Sequence, residues 1–284
     1  MCRLFGLTAG PHRVHTRFWL LEAPDSIVAQ SHRNADGTGL AFYEPDGEPV
    51  LDKEPLAAFE DSRFAVEARH ISSQTFVVHV RHASTGGLAR RNTHPFTMDG
   101  RVMAHNGAIS GLPLLEQELG GYRDKVLGDT DSERMFALIS KYTSANGGDV
   151  GAGIREAATW IAANIPVYAI NLILTTPDEL WAFRYPETHR LFVLQRAAGG
   201  THGDRPLHGR SETMRVASEH LARYPSVVVA SEPLDEHPDW RLLEVGELVY
   251  VGPDLTLTSQ VVIDGPPAEM MEVKYLDPAA GPTA

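Results

Sequence analysis

Cysteine is almost missing from this 284-residue chain: there is one, Cys2. A single thiol excludes an intramolecular disulfide framework and every metal site built on several cysteines. Long apolar runs are also missing. No stretch approaches the roughly 18 apolar residues that a membrane-spanning helix needs. The short run after Arg3 is closed by Gly10-Pro11, too early for a secretory signal. Positive charge is in deficit, with 25 Lys and Arg against 37 Asp and Glu, a formal net charge of −12. That balance disfavours an electrostatic grip on nucleic acid or on an anionic membrane. The expectation is a cytoplasmic protein with neither as a partner. No repeat, low-complexity core segment or linker breaks the sequence, so one domain over 1–284 is expected, with Met1 removed and 277–284 frayed.

What is present reads as strands, then helices, then strands. Leu4 to Thr8, Gly39 to Tyr43, Thr75 to Val80 and Arg101 to Ala104 are short apolar or β-branched runs bounded by turn residues. Leu112 to Leu119 is a short helical candidate. Thr130-Asp131-Ser132-Glu133 has the pattern of a helix capping box. Behind it Met135, Leu138, Ile139 and Tyr142 fall on one helix face, and Ile154, Ala157, Ala158 and Ile161 repeat the spacing. Strands return at 169–175 and 179–185, which read as a hairpin, and at 190–194, 214–218, 227–230, 248–251 and 255–259, with a polar loop over 199–209. This order predicts an α+β fold of stacked, mainly antiparallel sheets with helices outside them.

Cys2 carries the chemistry. Removal of Met1 would leave its thiol on the same residue as a free α-amine. Such an amine titrates at about 7.7–8.0, so it can take a proton near neutrality, through a bridging water. Arg81, at the end of a strand and followed by Ser84, Thr85 and two glycines, can hold a carboxylate with two parallel bonds. After another strand come His105, Asn106 and Gly107. An Asn-Gly pair is usually only a turn; here the Asn106 amide and the Gly107 N–H can also form an oxyanion hole. Asp131 is favoured by the helix dipole in a first turn, which by itself accounts for an acid there; the alternative is that it binds a substrate ammonium group. The Gly-rich segment 34–39 lacks the lysine of a phosphate loop and reads as a backbone wall. The pairs His12/His15 and His79/His82 point to opposite faces of a strand, so no metal is expected.

Taken in order, Cys2, Asp36-Gly37-Thr38-Gly39, the segment 81–87, Thr93-His94-Pro95-Phe96, His105-Asn106-Gly107 and Thr130-Asp131-Ser132-Glu133 resemble the class II glutamine amidotransferases, whose glutaminase domain is an N-terminal-nucleophile hydrolase. The resemblance covers residues 2 to about 140, and the later strands are compatible with the same αββα sandwich. It implies Cys2 as nucleophile with its α-amine as base. Asn106 and Gly107 would form the oxyanion hole, and Arg81, helped by Ser84 or Thr85, would bind the α-carboxylate. Asp131 would bind the α-amino group, while His94 and Pro95 would shape a loop. No cofactor is implied. The chain departs from the pattern at Thr38, where stand-alone members often carry tryptophan; either the pocket is wider there or another side chain closes it. With 153 residues after Asp131 there is no room for a second catalytic module. The chain is therefore similar to the stand-alone group, which includes the ergothioneine-pathway γ-glutamyl amide hydrolase. That likeness implies hydrolysis of glutamine or another γ-glutamyl amide, or supply of ammonia to a separate synthase subunit. Two rivals stay open: another N-terminal-nucleophile amidase, and a catalytically silent sensor of glutamine or a γ-glutamyl compound.

Overall fold

In the computed structural model, which describes residues 2–32, 36–81, 87–198 and 223–271, the strand that follows Cys2 is not an edge. It is β1 (Arg3–Thr8), and the strands in chain order are β2 (Val14–His15), β3 (Thr38–Tyr43), β4 (Pro49–Glu54), β5 (Ser72–Ser73), β6 (Thr75–Val80), β7 (Phe96–Met98), β8 (Arg101–Ile109), β9 (Val167–Thr175), β10 (Leu180–Arg184), β11 (Phe192–Arg196), β12 (Ser226–Ala230), β13 (Arg241–Leu242), β14 (Glu247–Val251) and β15 (Leu257–Val261). One sheet runs β13-β11-β12-β1-β6-β3-β4, with β1 at its centre; a second runs β15-β14-β10-β9-β8-β7; β2 and β5 form a small ladder. All strand pairings within these sheets are antiparallel.

The two-residue pleat explains the layering. Leu4 of β1 packs between the sheets with Val77, Val102, Ala104 and Ile173. Its neighbours Phe5 and Leu7 face the other way, into a cluster with Trp19, Ile27 and Phe64. The helices there are α1 (Ile27–Ser31) and α2 (Ser62–His70). On the far side of the second sheet, Leu172 and Leu174 meet α3 (Leu112–Leu119), α4 (Asp131–Ala145) and α5 (Val150–Asn164). Both sheets thus bury two faces, giving the αββα sandwich that the α+β reading anticipates. No helix among the described residues is long and apolar enough to cross a membrane.

Several boundaries differ from the sequence reading. The strand expected at 190–194 is Phe192–Arg196 and that at 255–259 is Leu257–Val261. The 169–175 and 179–185 hairpin is present as β9 and β10. The strand expected at 214–218, the loop at 199–209 and the tail at 277–284 lie outside the described residues. The capping box is half formed: Thr130 Oγ1 accepts the Glu133 N–H at 3.2 Å. The Glu133 carboxylate turns instead to the N–H groups of Leu127 and Gly128, at 3.1 and 2.6 Å. It fastens the loop before the helix rather than the helix start.

Candidate active site

The central place of β1 fixes Cys2 at the end of the sandwich, where the two sheets meet. Cys2 is partly buried. Its carbonyl oxygen accepts the Asn106 Nδ2–H at 3.1 Å and an Arg3 Nη1–H at 3.3 Å. Asn106 comes from β8 in the other sheet and is 4% exposed. The pleat sends the preceding His105 to the opposite face, where its Nε2 donates to the Ala169 carbonyl at 3.1 Å and its Nδ1 accepts the Ser132 hydroxyl at 2.9 Å. The carbonyl can only accept, so the tautomer is fixed.

Gly107 lies opposite Ile170, whose own N–H donates to Tyr185 at 2.7 Å on the far side. Facing residues of an antiparallel ladder exchange both bonds or neither, so the Gly107 N–H points away from β9. β7 pairs with β8 only at Arg101–Met103, leaving that edge without a strand among the described residues. A Cβ at Gly107 would collide with the Ala169 carbonyl, so no larger residue fits.

Arg81 stands just past β6. Its N–H donates to Gly37 O at 2.7 Å and its carbonyl accepts Asp36 N at 3.2 Å, which ties the described end of the Gly-rich segment to Arg81. The side chain is 3% exposed, with Nη1 donating to Gly87 O at 3.3 Å. Burial pushes the guanidinium below its ordinary value, and the nearby Cys2, Asp36 and Asp131 charges oppose that shift. Asp131, the first residue of α4, is 2% exposed. Its Oδ2 accepts the Ile109 N–H of β8 at 2.9 Å. A merely dipole-seeking acid would sit in water; this one is buried within the field of Arg81. Ser84 and Thr85 lie outside the described residues. Thr38 is 1% exposed.

The sequence reading missed a histidine stack behind these groups. The His79 and His94 ring centres are 4.2 Å apart and His94 and His105 are 6.4 Å apart. His79 sits two residues before Arg81, His105 one before Asn106, and His94 in the Thr93–Phe96 loop, which Lys53 Nζ anchors at Pro95 O, 2.9 Å. Burial depresses all three, His79 to about 3 and His94 well below the usual range. The folded protein therefore holds them neutral, while an unfolded histidine takes a proton near about 6.5. Their contribution is fully present above about pH 6.5 and is lost as pH falls towards 3. We expect acid unfolding to take up histidine protons in this window, at about 1.4 kcal/mol per pH unit for each. Chemical denaturation at pH 6.5 and 5, comparing His79→Gln with the parent, measures it; an unchanged slope in the variant would remove His79 from the set.

Known proteins resemble this chain in sequence and in fold. A family model for class II glutamine amidotransferases matches residues 1–271. YafJ of Escherichia coli (strain K12) is 30% identical over 222 residues, 75% of this chain and 83% of its own length. A solved class-II glutamine aminotransferase domain protein from Silicibacter pomeroyi is 19% identical with a TM-score of 0.60, covering 93% of this chain and all of its own. The glutamine phosphoribosylpyrophosphate amidotransferase of B. subtilis is 17% identical with a TM-score of 0.65, over 96% of this chain and 52% of its own. The chain therefore belongs to the class II glutamine amidotransferases, enzymes with the fold of N-terminal-nucleophile hydrolases.

Proposed function

We propose that this enzyme hydrolyses the side-chain amide of glutamine or of another γ-glutamyl amide through a thioester on Cys2. The observation that carries the reading is the meeting of four chemically distinct groups from two sheets and a helix. Asn106 Nδ2 lies 3.1 Å from the Cys2 carbonyl oxygen, the pairing of Arg3 with Val80 brings the chain at Cys2 beside Arg81, and Asp131 lies close enough to the buried Arg81 guanidinium to favour its charged form. A carboxylate-binding cation and an ammonium-binding anion beside one thiol suit the two charged ends of an amino acid. A general acyl amidase has no use for that pair.

The steps follow from the roles. With Met1 removed, the α-amine takes the thiol proton through water, and the sulfur attacks the amide carbon. The Asn106 amide and the Gly107 N–H donate to the oxyanion. The amine returns the proton to the leaving nitrogen, the C–N bond breaks, and water then cleaves the thioester to glutamate. No cofactor takes part. The released ammonia is either freed or passed to a separate synthase subunit. The test is release of glutamate from L-glutamine by purified protein whose intact mass shows that it begins at Cys2. A preparation that retains Met1 should be inactive; full activity there would remove the amine as base, and no turnover in the processed form would favour a silent sensor.

A further inference from the structure

Arg81 and Asp131 come from different elements, yet a grip on both charged ends of one amino acid needs them at a fixed spacing. The chain between them supplies a connection that the steps above do not use. It passes through Asn92, the last residue of the short helical turn Arg90–Asn92, which is buried. An asparagine side chain has two N–H bonds to give and one carbonyl oxygen to receive with. Here all of them are engaged. Nδ2 donates to the Gly87 carbonyl at 3.2 Å and to Asp129 Oδ2 at 3.2 Å, and Oδ1 accepts the Asp129 N–H at 2.9 Å.

Each partner leads to one end of the grip. The Gly87 carbonyl also accepts the Arg81 Nη1–H at 3.3 Å, so Asn92 and the Arg81 guanidinium share one oxygen. Asp129 lies just before Thr130 and Asp131, on the segment whose Leu127 and Gly128 N–H groups Glu133 holds. The fit there is close: a Cβ at Gly128 would come within 2.8 Å of Asn92 Oδ1. Arg91 adds a bond from the solvent side, its Nη2 donating to Asp129 Oδ2 at 3.1 Å. That pair is exposed and contributes little. Asn92 is different, because a buried amide with every polar atom satisfied holds one geometry.

Resting on the hydrolase reading above, we propose that Asn92 is a positioning residue: by bridging the Gly87 carbonyl to Asp129 it sets the spacing between the Arg81 guanidinium and the Asp131 carboxylate, so that the α-carboxylate and α-amino group of the substrate are recognised jointly. Asn92 acts through those two residues and not on the reacting atoms. Its loss removes binding that is equal in the ground state and the transition state, which raises KM and leaves kcat nearly unchanged. An aspartate cannot stand in for it. A carboxylate has no N–H for Gly87 O and would face the Asp129 charge.

The test measures kcat and KM for L-glutamine, for glutaramic acid, which lacks the α-amino group, and for γ-aminobutyramide, which lacks the α-carboxylate. The parent should prefer glutamine to each. In Asn92→Ala the KM for glutamine should rise roughly tenfold with kcat held within about twofold, the scale of a lost hydrogen bond to a charged group. The preference over both truncated amides should shrink together, whereas Arg81→Ala and Asp131→Asn should each lose only the preference tied to its own end. Alkylation of Cys2 by iodoacetamide, which has no glutamyl end, should keep the parent rate. A fall in kcat with both preferences intact would make Asn92 a folding residue only and overturn the proposal, as would the loss of just one preference. If Asn92→Ala does not fold, Asp129→Ala tests the same bridge, since that side chain is 58% exposed. Both preferences should then drop by about threefold, and unchanged preferences would overturn the bridge. A parent that uses all three amides equally would overturn the bridge and leave the hydrolase reading intact. No turnover of any of the three would take down the hydrolase reading and the bridge with it.

Discussion

Cys2→Ser should lower glutamine turnover by about four orders of magnitude or more, because a hydroxyl beside a weakly basic amine is a far poorer nucleophile than a thiol. The fold should survive. Cys2 is only partly buried and precedes β1, so a change of one sulfur to oxygen touches no core layer. A glutamine-derived diazo-ketone should add once to the parent protein, and peptide mapping should place the adduct on Cys2, the only cysteine. Normal turnover in Cys2→Ala, with no adduct on the parent, would end the assignment.

The second large effect concerns the grip on the glutamyl end. Removing one partner of a desolvated charge pair costs about 2–5 kcal/mol, much of it from the charge left behind. Arg81→Ala and Asp131→Asn should therefore each lower kcat/KM by roughly 30-fold or more. The asparagine variant keeps an oxygen for the Ile109 N–H that Asp131 accepts at 2.9 Å, so it separates charge from helix anchoring. The matching substrate is glutaramic acid, which is glutamine without its α-amino group. The parent should use it poorly, and Asp131→Asn should discriminate against it much less. Equal discrimination by both would leave Asp131 a helix-terminus acid and nothing more.

Much of this site is legible in sequence because its groups adjoin strongly patterned elements. Arg81 follows a β-branched run and Asp131 opens a helix whose apolar face repeats cleanly, whereas Asn106 and Gly107, where the sequence allows a turn, lie inside β8, which continues to Ile109 because Asn106, Gly107 and Ala108 stay paired with β9. Three things are not legible. The helix at Ser62–His70 buries only Phe64 and Ala68, too few positions to establish a period. The histidine stack joins positions 79, 94 and 105 from two sheets and a loop, and no local spacing records such a meeting. The bridge from Asn92 to Asp129 reaches 37 residues along the chain, between two polar segments that carry no period. Local pattern reveals elements; the side chains that meet across them depend on register.

The position of β1 also has a consequence in time. Leu4 N donates to Ser231 Oγ, 227 residues along the chain, and Phe5 pairs with Ala230. During translation residues 3–8 therefore wait for 226–231 before both edges of the strand are filled. At about 5–20 residues per second the wait is roughly 10–45 s. The end that bears the thiol stays within reach of processing enzymes for that interval, and the ribosome, not the finished cleft, sets its length.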